Sequence, residues 1–159
     1  MLYVTMRAIH LLSIVAWVGG MFFMLACLRP AAAVVLEPPA RLRLMHATMR
    51  RFFAIVIVSV FLVLLSGGVM FGLAASTAAR TGLRFNMPLN WYVMVGGFVV
   101  MLAVFAHARL VLFNRLGAAV EAQAWPAGAA AVGTIRISVL FNLIVGIFVI
   151  IAMEIGGTV

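Results

Sequence analysis

Four long apolar runs, each carrying few or no charges, constrain this chain more than any other feature. Between Arg7 and Arg29 lie 21 residues whose only ionisable groups are His10 and the Cys27 thiol. A second run follows Arg50-Arg51 from Phe52 to about Ala75, ending in the small, turn-prone stretch Ala74-Ala75-Ser76-Thr77-Ala78-Ala79. A third extends from Asn90-Trp91-Tyr92 to about Phe113-Asn114-Arg115, and a fourth from about Ile137 to Met153, closing at Glu154 and Gly156-Gly157. A helix needs about 20 apolar residues to cross a bilayer, and backbone groups in lipid must bond internally, which leaves helices or closed barrels. Runs without polar–apolar alternation decide for helices. The chain therefore reads as all-α: an integral membrane four-helix bundle in one domain, residues 1–159, with spans of roughly 7–29, 50–75, 90–115 and 136–155.

Composition excludes the soluble alternatives. Of the 159 residues, 67% are hydrophobic and 9% charged, far from ordinary soluble usage. Eleven Arg against three acids give a net charge of +8, which in a soluble protein would suggest nucleic acid; here the bilayer accounts for it. Eight arginines (Arg29, Arg41, Arg43, Arg50, Arg51, Arg109, Arg115 and Arg136) fall at the end where spans one and two, and three and four, are joined. Only Arg7, Arg80 and Arg84 fall at the other. The positive-inside rule then places both termini on the periplasmic side of a bacterial inner membrane. A single Cys removes any intrachain disulfide or multi-Cys cluster. The first run is longer than a signal-peptide core and reads as a retained helix. Pro30, Pro38-Pro39 and Pro126 mark breaks between spans.

Polar groups inside hydrocarbon are costly, so each is a candidate for function. Met6, His10, Ser13, Trp17, Met21 and Met24 follow steps of three, four and seven along one stripe of span one, and Cys27 continues it. Thioether, imidazole and thiol are the ligands that favour Cu(I). Packing is the competing reading for any single Met, whereas His10, about one turn inside the outer boundary, needs a partner or a ligand. Met70 and Met153-Glu154 emerge at the same end as candidate neighbours. At the inner end Met45, His46 and Met49 form a second cluster, and His107 ends span three at a similar depth. His46 and His107 on neighbouring helices could ligate a haem iron, with Arg50, Arg51 and Arg109 pairing with its propionates. Asn142 reads as an interhelical hydrogen bond beside Gly146, and Gly19-Gly20, Gly96-Gly97 and Gly68-x-x-x-Gly72 as close packing. No nucleophile–base pair and no phosphate loop is present, so ordinary hydrolysis and phosphoryl transfer are not expected. Any chemistry would need a metal, a haem or another redox group.

Arg7-Ala8-Ile9-His10, Trp17-Val18-Gly19-Gly20-Met21 and Leu28-Arg29-Pro30-Ala31 resemble the opening of the copper resistance protein D (CopD) domain family. Arg50-Arg51-Phe52, Ser66-Gly67-Gly68, His107-Ala108-Arg109 to Asn114-Arg115, and Arg136 to Gly146 resemble its later helices. The resemblance implies an inner-membrane protein of copper homeostasis that binds or moves copper, with a periplasmic copper-binding protein or a second copy as partners. Metal ligands on this reading are His10, with Met6, Met21, Met24, Met45, His46 and Met49. HemJ-type protoporphyrinogen oxidases share the span-one His and the Trp seven residues on, and supply the alternative of a haem b redox protein, an oxidase of that type or a quinone-linked cytochrome. Their span-three Lys has no counterpart in this Lys-free chain. A cofactor-free assembly subunit is the third alternative.

Overall fold

The computed structural model describes residues 1–82 and 84–156. Gly157, read above as part of the close of span four, lies outside them. Among the described residues the regular structure is helical throughout: α1 (Leu2–Val35), α2 (Pro38–Arg80), α3 (Leu89–Glu121) and α4 (Trp125–Gly156). All four are long and apolar enough to cross a membrane.

The helices outrun the expected spans. α2 has 43 residues, about 65 Å at 1.5 Å per residue, against a hydrocarbon core of about 30 Å. Its small-residue stretch does not end it, because the Ser76 and Thr77 hydroxyls bond back to the Leu73 carbonyl and the helix continues to Arg80. At the Arg-rich end α2 begins twelve residues before Arg50, and α4 begins eleven before Arg136. Several turns of each therefore extend beyond the charged residues that border the apolar runs.

Proline starts helices here more than it stops them. Pro38-Pro39 and Pro126 sit in the first turns of α2 and α4, where a missing N–H costs nothing. Pro30 lies within α1, just past a π-turn at Met24–Leu28 in which the Arg29 N–H reaches the Met24 carbonyl. A second π-turn, Ala108–Leu112, interrupts α3 at the same end of the bundle. The first turn also corrects the stripe of span one: the extra residue rotates the helix, so Cys27 is exposed while Leu28 is half-buried and Ala32 buried. Two tight connections, Leu36-Glu37 and Ala122–Ala124, close the Arg-rich end. The second places Gln123 at φ 54°, a left-handed conformation uncommon for a residue with a side chain.

The core fills the space between the helices with Phe53, Val56, Met21, Leu116 and Ile135, each at most 2% exposed. Phe53 meets Phe105 and Phe113 edge-on, with centroids 5.6 and 5.3 Å away. Side chains such as Leu12, Val15, Phe61, Ile144 and Phe148 face outward, as a lipid solvent allows. Asn142 behaves as expected: its Nδ2 donates to the Met101 carbonyl at 3.0 Å, joining α4 to α3, and Gly146 admits Val18 and Met101 one turn on. The glycine expectation needs correcting. A Cβ on Gly20 would strike the Phe52 ring and one on Gly97 would strike Val149, whereas Gly19, Gly96, Gly68 and Gly72 face open space.

Candidate metal centre

His10, Ser13, Trp17, Met21 and Met24 are all buried along α1, as the stripe requires, and Met6 is half-buried. His10 is 8% exposed and lies against α2, with Nδ1 3.0 Å from Ser66 Oγ. The Ser66 hydroxyl has one proton, and it goes to the Leu62 carbonyl of its own helix at 2.5 Å. Ser66 Oγ is therefore the acceptor for His10, which assigns the ring proton to Nδ1 and leaves the lone pair on Nε2, the form that binds metals. The Val63 carbonyl also lies within reach of the ring. Gly67 makes the approach possible, since a Cβ there would stand 3.2 Å from His10 Cε1.

Ser66 is the residue that reading along the chain missed. Ser66-Gly67-Gly68 was legible as a polar and small triplet near the end of span two, but only the threading of α1 against α2 puts it opposite His10. The hydrogen bond of His10 is to this hydroxyl, not to the sulfur of Met70 or Met153; both methionines are half-buried and Glu154 is exposed.

Further along the stripe, Trp17 packs edge-on against Phe98 and Phe105 of α3, at 6.3 and 6.0 Å, and Met21 is 2% exposed within the same core. These two side chains close the middle of the bundle. Beyond them, towards the Arg-rich end, Met24 from the π-turn of α1 and Met45 and Met49 from α2 line one small cavity against Ile135 and Val139 of α4. Its volume of about 20 Å³ suits a single ion or water-sized guest. Arg29 and Arg136, both exposed, complete its wall. Thioethers are neutral and soft, a donor set for a monovalent soft cation and a poor one for hard cations. Among the described residues there is no group of three or more His, Cys, Asp or Glu suited to a metal.

The inner histidines line different surfaces. His46 stacks on Phe113 at 4.9 Å and 20°, with its Nε2 3.3 Å from where a Gly117 Cβ would be. Arg109 lies over the same phenyl ring at 5.2 Å. His107 is exposed in a shallow groove of about 460 Å³ between α3 and α4, walled by Val104, Ile137, Ser138 and Phe141. Arg50 and Arg51 are exposed on α2. His46 thus contributes to the α2–α3 contact, and His107 opens towards lipid beside α4.

The family model described as copper resistance protein D matches residues 46–155, more than two thirds of the chain. The match begins at His46 and takes in Met49, Asn142 and most of α2, with all of α3 and nearly all of α4. α1, with His10 and Met24, precedes it. No curated protein and no solved structure matches the chain.

Proposed function

Because the chain belongs to the copper resistance protein D family, a multi-pass protein of the inner membrane, we propose that it binds Cu(I) and moves it through the bundle. The observation that carries this reading is the convergence of Met24, Met45 and Met49, from two helices, on a cavity of single-ion size. Copper is the cargo. His10, with Nε2 free to bind, is the receiving ligand near the end that bears both termini, and the thioethers are the holding site near the Arg-rich end. Arginine asymmetry makes the first end periplasmic and the second cytoplasmic. Soft ligands arranged along one helix exchange copper by adding one donor before releasing another, so the ion never stands bare in hydrocarbon. Trp17 and Met21 separate the two sites, and transfer requires those side chains to change rotamer.

The test is copper stoichiometry and uptake in sealed vesicles under reducing conditions. Wild-type protein binds about one Cu(I) at the thioether site and carries copper into the lumen. The M24L/M45L/M49L variant keeps apolar volume but loses at least tenfold in Cu(I) affinity, and His10→Ala abolishes accumulation. Equal affinity and uptake in all three proteins overturns the proposal. A Soret band in protein purified in mild detergent would transfer the reading to haem.

A further inference from the structure

The groove between α3 and α4 holds a polar group that no other described residue satisfies. Ala103, Val104 and His107 line it from α3, and Ile137, Ser138 and Phe141 from α4. Two of these side chains, Ala103 and Ser138, are small, and the groove has a volume of about 460 Å³. All six residues lie on the hydrocarbon side of the arginines, since those on α3 precede Arg109 and those on α4 follow Arg136. At about 1.5 Å per residue, His107 sits about 3 Å below the level of Arg109 and Ala103 about 9 Å below it. On α4, Ile137 and Phe141 sit about 1.5 and 7.5 Å below Arg136. The Ser138 hydroxyl gives its proton to the Thr134 carbonyl of its own helix. His107 is exposed and makes no hydrogen bond to any described residue. An imidazole carries at least one N–H in either protonation state, and an N–H left unpaired in hydrocarbon is costly.

We propose that this groove seats one acyl chain of a phospholipid, held at its head by a hydrogen bond from the His107 N–H to the ester carbonyl of that chain. The inference stands apart from the copper reading. Arginines at a membrane border send their side chains to lipid phosphate. In a phospholipid the next polar atoms below the phosphate are the ester carbonyl oxygens, which accept hydrogen bonds and have no proton to give. Below them lies hydrocarbon alone. The groove repeats that order, with an N–H donor just under the arginine level and Val104, Ala103 and Phe141 along its deeper part. A water molecule could meet the imidazole but not the apolar length beneath it, and a free anion suits neither. The seated chain lies along the outer side of the α3–α4 contact. Phe141 adjoins Asn142, whose bond to the Met101 carbonyl ties the same two helices on the inner side.

The experiment places the full chain in nanodiscs of diester phosphatidylcholine or of its diether analogue with the same chains, releases it in a mass spectrometer and counts retained lipid. Wild type should keep one diester lipid about threefold or more over the diether, the ratio that an average hydrogen bond inside a membrane gives. His107→Leu, which keeps apolar bulk without an N–H, should remove the preference, and His107→Gln, which keeps an N–H, should restore most of it. Ala103→Phe fills the groove and should lower retention of both lipids. The His107 N–H proton should also resonate further downfield in diester than in diether bilayers, a readout that needs no variant. Equal retention of the two lipids by wild type, a preference that survives His107→Leu, or an unshifted His107 N–H overturns the inference. Retention that follows the headgroup, phosphatidylglycerol over phosphatidylcholine, and ignores the linkage would assign the lipid to the arginines and overturn it. Displacement of the diester lipid by an equimolar isoprenoid quinone would assign the groove to a quinone carbonyl and overturn it too. None of these results bears on Cu(I) binding, so the copper reading stands or falls by its own test.

Discussion

Removing the hydroxyl that faces His10 tests the assignment of its ring nitrogens. Ser66 is 1% exposed and His10 8%, so their 3.0 Å hydrogen bond is shielded from water, which would otherwise replace it. Leaving a buried donor without a partner costs about 1–3 kcal/mol in soluble proteins. Measured interhelical hydrogen bonds in membranes average about 0.6 and reach about 1.7 kcal/mol, because helices separated in lipid also find partners. The Val63 carbonyl beside the ring softens the loss further. Ser66→Ala is therefore expected to destabilise the bundle by about 1 kcal/mol, roughly a fivefold change in the folding equilibrium. A double-mutant cycle of Ser66→Ala with His10→Ala should return a coupling of about 1 kcal/mol, well below the cost of His10→Ala, which also loses packing. The assay is reversible unfolding in mixed micelles, paired with nitrogen-15 spectra of the imidazole. Wild type should show a protonated Nδ1 and a bare Nε2, and Ser66→Ala should shift the population towards protonated Nε2. A coupling below about 0.3 kcal/mol, or protonated Nε2 in wild type, would refute both the hydrogen bond and the metal-ready tautomer.

Two glycine dipeptides make a contrasting set. Gly20→Ala and Gly97→Ala force Phe52 and Val149 to move and should cost about 1–3 kcal/mol in the same unfolding assay. Gly19→Ala and Gly96→Ala meet nothing and should be neutral or stabilising by up to about 1 kcal/mol. Asn142→Leu loses the Nδ2 bond to Met101 but also removes an Oδ1 that is buried with no hydrogen-bond partner among the described residues. The first effect is about 0.6 kcal/mol and the second, opposite in sign, about 1–3, so the variant should unfold no more easily than wild type. A loss above about 1.5 kcal/mol would mean that Oδ1 has a partner in the membrane. Single replacements Met24→Leu, Met45→Leu and Met49→Leu, near-isosteric, should each change stability by less than about 1.5 kcal/mol while weakening Cu(I) binding in a chelator competition.

What could be read from the chain is what depends on local order. Four apolar runs gave four helices, and the steps from His10 to Met24 gave the buried face of α1, because periodicity is a property of one helix by itself. What could not be read depends on how one helix lies against another. His10 and Ser66 are 56 residues apart, and nothing local marks them as partners. Met45 and Met49 were legible as a cluster and Met24 as the end of the α1 stripe, but that the three line one cavity depends on how α1 lies against α2. The glycine pairs make the same point. Gly19 and Gly20 are identical in sequence terms, and only the position of Phe52 tells them apart. Helix ends were misjudged at the small-residue stretch of α2, whose hydroxyls bond back to the helix, and at Pro30, which lies inside α1. Pro38-Pro39 and Pro126 do stand at breaks between helices, each in the first turn that follows one.

The turns of helix that pass the charged border of the bilayer have a practical consequence for imaging. A bundle of 17.1 kDa enclosed in a detergent belt offers a microscope nothing to align. The two tight hairpins at Leu36-Glu37 and Ala122–Ala124, each held at the tip of rigid helices, are places where a bulky helical fusion could be spliced in continuous register. Such a fiducial would stand clear of the micelle on one face only, and would report from which side of the membrane each particle is seen.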